Sequence, residues 1–525
     1  MVMTMPENFF DYYSRYAAEA PGKPLLRIDD EALTYGGFME KTAVFGSAMK
    51  KLGIGENDKV GICMPNSIEW YIVFWSAVRI GAQPVPMDPQ SGTLELSEFI
   101  PASAVKLMFI SDSYRSNDII SAVSSALPPA VRLAVCFADK SRIPHDDRYI
   151  TAEDFTVAYG GSSCGIYEPD KLHTMSLACT SGSTGNPKIL SVPSWGFLKA
   201  QKDMGSYLGL RPDDVMLLGM TLYHQGGFGM GQQLVLNGGT VIYQPQFEPA
   251  GFLDTIQKYG VTVIQLTATL AKVLLSSPDI DSCDLSRVRI CYFAGEVLPK
   301  EIADVFTDRF GIRVVNVIGS SETCTMVVWD SDRDAGTDPS DFRRLDFTDF
   351  RVTDAGHNEV PVGETGELCV YTDGVITEYF GDPELSAEKI LTDGQGRRWF
   401  CTGDLVYRLP DGIVRFAGRS KRIIKRGGNL VHAEEVEACL LTHPKIAAAA
   451  VTDEPHPVVG QQIVAYIQPK DGEKMTRGEL ARYFSGRLSA YKIPDRVILV
   501  EDIPKDIGKI QFKYLRKKEY SNERT

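Results

Sequence analysis

The densest run of chemistry-bearing residues is Thr180-Ser181-Gly182-Ser183-Thr184-Gly185-Asn186-Pro187-Lys188. Small hydroxyl residues and glycines let a backbone approach an anion closely and aim successive amides at it. Lys188 adds a positive charge. The order is not that of the common ATPase loop, G-x-x-x-x-G-K-[ST], which the chain lacks. The glycines at 227, 229 and 231 do not make G-x-G-x-x-G either, because position 232 is Gln. From its residues alone the segment reads as a phosphate cradle of another kind or as a flexible Ser/Gly loop.

The order of residues narrows this. Ser181–Lys188 resembles the S-G-[ST]-T-G-x-P-K signature of the adenylate-forming superfamily, which includes acyl-CoA synthetases, peptide-synthetase adenylation domains and firefly luciferase. Its companions follow in order. Ile318-Gly319-Ser320-Ser321-Glu322 resembles Y-G-x-T-E, with Ser321 keeping the hydroxyl of Thr and Ile318 replacing the aromatic. Phe400-Cys401-Thr402-Gly403-Asp404-Leu405 resembles [YF]-x-T-G-D-L, and Gly418-Arg419 the G-R pair. Ser420–Gly428 resembles a hinge followed by a glycine-bearing loop. Pro504-Lys505-Asp506-Ile507-Gly508-Lys509-Ile510 resembles P-K-T-x-x-G-K-I, one residue shorter than usual.

The resemblance implies ATP and Mg²⁺ as cofactors and a site for each motif. Thr180, Ser181, Gly182, Ser183, Thr184, Gly185 and Lys188 would hold the phosphates. Glu322 and Thr184 would hold the metal, since a carboxylate beside a triphosphate needs a bridging cation. Gly319, Ser320 and Ser321 would pack on the base. Asp404 would accept both ribose hydroxyls, two carboxylate oxygens suiting a vicinal diol, with Arg419 also on the ribose. Lys421 falls on the hinge, and Lys425, Gly427 and Gly428 on the loop that faces the acceptor channel after rotation. Lys509 falls on the catalytic lysine, which offsets charge as pentavalent phosphorus forms.

The acid is narrowed by Leu222-Tyr223-His224-Gln225-Gly226-Gly227, similar to the P-L-[FY]-H-x-x-G stretch of acyl-CoA synthetases. The peptide-synthetase branch carries an aspartate there for the substrate ammonium, and Thr221–Gly231 holds none. An unpaired buried ammonium is costly, so a small carboxylic acid without an α-amino group is expected, with room for a cyclic or aryl body. His224, Phe228, Gly229, Ala294 and Gly319 are the expected pocket residues, with His224 near the carboxylate. Phe293-Ala294-Gly295-Glu296 matches a further lining strand that brings Gly295 and Glu296 to the nucleotide. The expected activity is formation of an acyl-AMP with pyrophosphate release, then transfer to CoA as co-substrate. The alternative acceptors are an amine, as in a stand-alone amide ligase, or a carrier-protein phosphopantetheine thiol. A non-catalytic nucleotide-binding module would lack Glu322, Asp404 or Lys509, and all are present.

Elements must position these residues. Helical apolar spacing covers 7–19, Met39–Leu52 and Glu69–Ile80; strand-like runs include Lys59–Met64, Lys106–Ile110, Met175–Thr180, Val215–Leu218, Thr240–Tyr243, Val263–Gln265, Val288–Phe293 and Val314–Val317. This alternation predicts an α/β fold with parallel sheet. Past about residue 345 strands and turns dominate. The expected organisation is a large N-terminal domain, 1–420, of layered α/β subdomains plus a β-rich subdomain at about 345–420, then a small mobile α+β C-terminal lid domain, 421–525.

The bulk properties agree. A chain of 525 residues exceeds what one core organises. Its net charge of -13 argues against nucleic acid as a partner. The ten cysteines show no paired C-x-x-C spacing, which argues against zinc and disulfide frameworks and for a reducing, cytoplasmic setting. The N-terminus reads as no signal peptide, and no apolar run is long enough for a membrane span.

Overall fold

The computed structural model describes residues 8–161, 164–180, 188–295, 298–419, 423–470, 472–473, 475–484, 486–503, 505–506 and 509–510. The fold is mixed α/β, with a large N-terminal region and a small C-terminal one. Helices form at Phe9–Glu19, Tyr35–Lys51 and Ile68–Arg79, close to the three runs of helical spacing. The last is apolar on nearly every face because it is buried on nearly every face. Ser67 caps it by accepting from the Trp70 amide.

Among the described residues one sheet has fourteen strands. Its parallel half runs Arg313–Ser320, Ile290–Ala294, Val263–Leu266, Val215–Leu218, Thr240–Tyr243 and Pro24–Ile28. The direction reverses where Cys324–Asp330 pairs antiparallel with Arg313–Ser320. Asp341–Arg344 then carries the sheet on to Ile413–Arg419, Arg398–Arg408, Thr365–Tyr371 and Asp349–Thr353, all antiparallel. The β-rich stretch is therefore continuous with the α/β sheet through that one strand.

A second sheet is parallel throughout: Gln83–Met87, Lys59–Cys63, Val105–Ser111, Leu133–Phe137 and Tyr149–Thr151. Parallel strands all end on the same side, and ligands gather at those carboxyl ends. Thr174–Thr180 departs from the α/β alternation expected of it. It pairs antiparallel with Lys188–Pro193, the two strands forming a ribbon.

The C-terminal region has its own sheet and core. Ile446–His456 and Gly460–Pro469 pair antiparallel, and Arg496–Leu499 lies parallel to the latter. Ile423–Arg426 and Asn429–His432 form a hairpin bridged to the sheet at Arg426 and Gly460. Helices Ala433–Leu441 and Arg477–Phe484 cover one face. No described helix is long and apolar enough to cross a membrane.

Candidate functional site

One cavity of about 370 Å³ lies at the carboxyl ends of the parallel strands. It collects residues far apart in sequence: Lys188, His224, Gly229, Ala294, Gly295, Gly319, Ser320, Ser321, Glu322, Asp404, Lys425 and Gly428 all line it. Several arrive at strand ends, Gly229 comes from the helix Gln225–Val235 and Asp404 from within the strand Arg398–Arg408. Ser320 ends Arg313–Ser320, and Ala294 ends Ile290–Ala294.

The Gly319–Cys324 turn is tightly specified. A Cβ on Gly319 would lie 2.6 Å from the Cys324 carbonyl oxygen, so only glycine allows the antiparallel reversal to close there. The Glu322 amide donates to Ser320 Oγ at 3.2 Å, and the Ile376 amide donates to the Glu322 carbonyl at 2.9 Å. Tyr379 Oη donates to Glu322 Oε1 at 3.2 Å. Burial and the Glu322 charge push that phenol well above its usual range, so it stays a donor. Lys188 Nζ lies 5.7 Å from the centre of the Tyr379 ring. Tyr379 thus joins Lys188, at the start of the second ribbon strand, to the glutamate. Ser320, Ser321 and Glu322 present hard oxygen donors, a set that suits Mg²⁺.

Asp404 sits on a bulge. Glu367 pairs with Leu405 and Cys369 with Cys401, so three residues of one strand, Thr402, Gly403 and Asp404, span a single residue of the other. Thr402 Oγ1 donates to the Leu368 carbonyl at 2.8 Å, and the Gly403 amide donates to Glu367 Oε1 at 2.7 Å. Gly403 has φ +76°, the left-handed conformation that favours glycine. Asp404 is 2% exposed and is the register partner of Arg419 across the next strand.

His224 precedes the helix Gln225–Val235 and lines the cavity beside Asp88. Burial draws it below the usual imidazole range, with Asp88 pulling the other way and Lys492 reinforcing the fall. Phe228 does not join it. That ring is 2% exposed and packs among Trp70, Phe74, Trp75 and Phe197, so the expected pocket residue is a core residue. The helical period puts Gly229, not Phe228, toward the cavity.

The C-terminal region closes one wall. Lys425, Gly428, Asn429, Tyr491 and Lys492 line the same cavity as Glu322 and Asp404. A Cβ on Gly428 would lie 3.2 Å from Thr267 of the large region. Gly427 anchors the hairpin by donating its amide to the Val459 carbonyl at 2.8 Å, and it stands just outside the lining.

Lys492 was not singled out in the sequence. It is 3% exposed, with Nζ 2.6 Å from Glu95 Oε1 and 2.8 Å from Glu435 Oε1. Burial opposes its charge, but Tyr491, Glu95 and Glu435 hold its pKa well above that of an ordinary lysine. Ser489 Oγ donates to Glu95 Oε2 at 3.0 Å, and the Thr93 amide donates to the Gly486 carbonyl at 2.9 Å. Nothing local in the sequence marks this lysine, because its partners lie 397 and 57 positions away.

Ser181, Gly182, Ser183, Thr184, Gly185, Glu296 and Lys421 lie outside the described residues. Thr180 ends its strand at the ribbon tip and Arg419 ends Ile413–Arg419. Lys509 begins the short strand Lys509–Ile510, which pairs with Lys505–Asp506.

Residues 13–380 match the sequence profile described as AMP-binding enzyme, and residues 435–508 match that of the AMP-binding enzyme C-terminal domain. Indoleacetate–CoA ligase of Aromatoleum aromaticum is 26% identical over 511 residues, covering 95% of this chain and 96% of the relative. The amide bond synthetase McbA of Marinactinospora thermotolerans superposes with a TM-score of 0.84 at 22% identity, covering 96% of this chain and 99% of the other. The o-succinylbenzoate CoA synthetase MenE of Bacillus subtilis, solved with a product analogue, gives 0.81 at 21% identity over 96% of this chain and 98% of that one.

Proposed function

The chain belongs to the AMP-binding enzyme family, and from that premise we propose that it is a carboxylate–CoA ligase working through an acyl-AMP. The observation that carries the second half is the cavity wall: Lys425, Gly428 and Asn429 of the C-terminal region face the same space as Glu322 and Asp404. That is the arrangement expected when a small domain presents its glycine loop for acyl transfer. Relatives along the whole chain that carry the name CoA ligase support the same acceptor.

In this reading ATP lies with its ribose on Asp404 and Arg419 and its phosphates along the ribbon tip, 180–188. Mg²⁺, held by Glu322 and Thr184, would offset the triphosphate charge. The substrate carboxylate enters beside His224 and attacks the α-phosphorus in line, and pyrophosphate leaves. Lys509 neutralises charge on the carboxylate and the α-phosphate as they meet. Rotation about Lys421 then exchanges the Lys509 loop for the Lys425–Asn429 hairpin, and the CoA thiol attacks the acyl carbonyl with AMP as leaving group. Enclosure by Tyr491 and Lys492 keeps water from the mixed anhydride. Residues 1–420 and 421–525 are the two units that move.

The acid is read as a ring-bearing carboxylate without an α-ammonium. Phe197, Met220, Met230 and Leu298 supply apolar wall, while Gln201 and Gln233 face the cavity as a hydrogen-bonded pair at 3.1 Å. Gln233 Oε1 is buried and has no partner, so it suits a donor group on the acid. A panel of aryl and arylacetic acids, with and without hydroxyls, and of amino acids should give AMP release with the first group. Turnover with amino acids alone would overturn the reading, and Asp88, whose Oδ2 is buried without a partner, would then be the ammonium site. With the best acid, CoA and simple amines are offered separately and the products weighed. A thioester is expected; amide formation with CoA unreacted would assign the acceptor to amines.

Glu322→Gln removes the one anionic side chain proposed for the metal and leaves a neutral amide oxygen. We expect the Mg²⁺ concentration for half-maximal adenylation to rise about 10- to 100-fold, with maximal rate partly recovered at high Mg²⁺. An unchanged Mg²⁺ requirement would remove Glu322 from the metal site.

A further inference from the structure

We propose that Cys369 and Cys401 form a thiol–disulfide switch at the ribose end of the cavity, closed by peroxide and reopened by small thiols. The two residues are register partners on the neighbouring antiparallel strands Thr365–Tyr371 and Arg398–Arg408. Their sulfurs lie 2.8 Å apart, and both side chains are buried. Directly opposed residues of an antiparallel pair have Cα atoms about 4.5–5.5 Å apart, inside the span a disulfide bridges. The sulfurs need to approach by only about 0.8 Å to bond, which side-chain rotation supplies without parting the strands.

The surroundings favour the reaction. Thr353 Oγ1 lies 3.4 Å from Cys369 Sγ, and His357 Nδ1 lies 3.8 Å from Cys401 Sγ. His357 is held there by a turn in which it adopts φ +60°, a conformation uncommon outside glycine, while Asp354 Oδ1 accepts from the amides of Gly356 and Asn358. The hydrogen bond from Cys401 holds the Cys369 thiol below its usual range and pushes Cys401 up in turn, so the pair readily shares one proton. Cys401 also lines the cavity, which gives a small oxidant a route to a sulfur that is otherwise covered. The three donor atoms lie within 4.8 Å of one another, a grouping that could also suggest a metal. Two thiolates on one tetrahedral zinc stand roughly 3.8 Å apart at the usual bond length, so a metal would have to spread this cross-strand pair, whereas a disulfide only tightens it.

The chemistry balances with hydrogen peroxide as oxidant. Peroxide reaching the pair past Cys401 is attacked by the Cys369 thiolate while the shared proton stays on Cys401; the O–O bond breaks and hydroxide leaves. The Cys401 sulfur then attacks the Cys369 sulfenic sulfur, the S–O bond breaks, and the Cys401 proton departs with that oxygen as water. Two electrons pass from the sulfurs to peroxide. The consequence follows from position. Cys401 begins the bulge Cys401-Thr402-Gly403-Asp404, and Cys369 follows Leu368, whose carbonyl holds Thr402. Tightening the base of the bulge shifts Asp404, and that effect rests on the nucleotide reading above; bond formation does not.

Reduced protein is treated with hydrogen peroxide, with or without ATP, and then analysed by peptide mass spectrometry without reduction and by calorimetric ATP binding. A Cys369–Cys401 linked peptide is expected, forming more slowly with ATP present. The ATP Kd should rise about tenfold, the equivalent of one hydrogen bond to a charged group. Dithiothreitol should reverse both changes, and Cys369→Ser should keep its ATP affinity through peroxide treatment. Absence of the linked peptide in the wild-type protein overturns the bond itself. A linked peptide with unchanged ATP affinity, or equal loss of affinity in Cys369→Ser, overturns the switch.

Discussion

Lys509→Ala is expected to slow acyl-AMP formation by roughly 10²–10³-fold, the scale of removing one preorganised charge donor from a developing transition state, while transfer from supplied acyl-AMP to CoA changes by no more than about threefold. The asymmetry is the prediction. A lysine that meets the carboxylate and the α-phosphate matters only while the P–O bond is made. In the proposed cycle a different wall, Lys425 to Asn429, serves the second step after rotation about Lys421. Single-turnover pyrophosphate release measures the first half-reaction, and thioester formation from synthetic acyl-AMP measures the second. Equal losses in both would assign Lys509 to structure instead. The strand that carries it pairs Asp506 with Lys509.

Lys492→Met should give the mirror image. The ammonium is buried between Glu95, on the helix Thr93–Ala102, and Glu435, on the helix Ala433–Leu441. Removing one member of a buried ion group leaves its partners uncompensated, at a cost of about 3–5 kcal/mol. Here that cost falls on the contact between the large and small regions, since Glu95 belongs to one and Glu435 and Lys492 to the other. Transfer from supplied acyl-AMP is expected to drop by about 10- to 100-fold as the orientation is depopulated, with adenylation little changed. The drop is smaller than the full cost because the carboxylates can take up water or protons once the contact opens. Lys492→Arg should recover part of the transfer rate. Equal losses in both half-reactions, together with a lowered melting temperature, would reduce Lys492 to a stabilising residue.

Much of this was legible in sequence because the motifs are local. Gly319 to Glu322 and Thr402 to Asp404 are short runs whose conformations their own residues dictate: a glycine where a Cβ would strike a carbonyl, and a glycine at positive φ beside a bulge. Alternating apolar runs likewise announced the parallel strands. What stayed hidden depends on distant partners. Phe228 stands in a glycine-rich, pocket-like stretch, yet its ring completes an aromatic cluster built from helices Ile68–Arg79 and Ser194–Tyr207. The antiparallel pairing of Thr174–Thr180 is set by Lys188–Pro193 across the loop, which an apolar run alone does not reveal. Lys492 and Tyr379 reach the cavity through contacts that only the folded chain makes, and Cys369 meets Cys401 from 32 positions away.

The most direct test follows the oxygen atoms. The acid that best promotes AMP release is prepared with its carboxylate oxygens replaced by the heavy isotope, and the products are weighed after turnover with ATP and CoA. Attack of the carboxylate on the α-phosphorus leaves one heavy oxygen in AMP, none in pyrophosphate and one in the thioester. Label absent from AMP, or release of ADP and phosphate in place of AMP and pyrophosphate, would contradict an acyl-AMP intermediate.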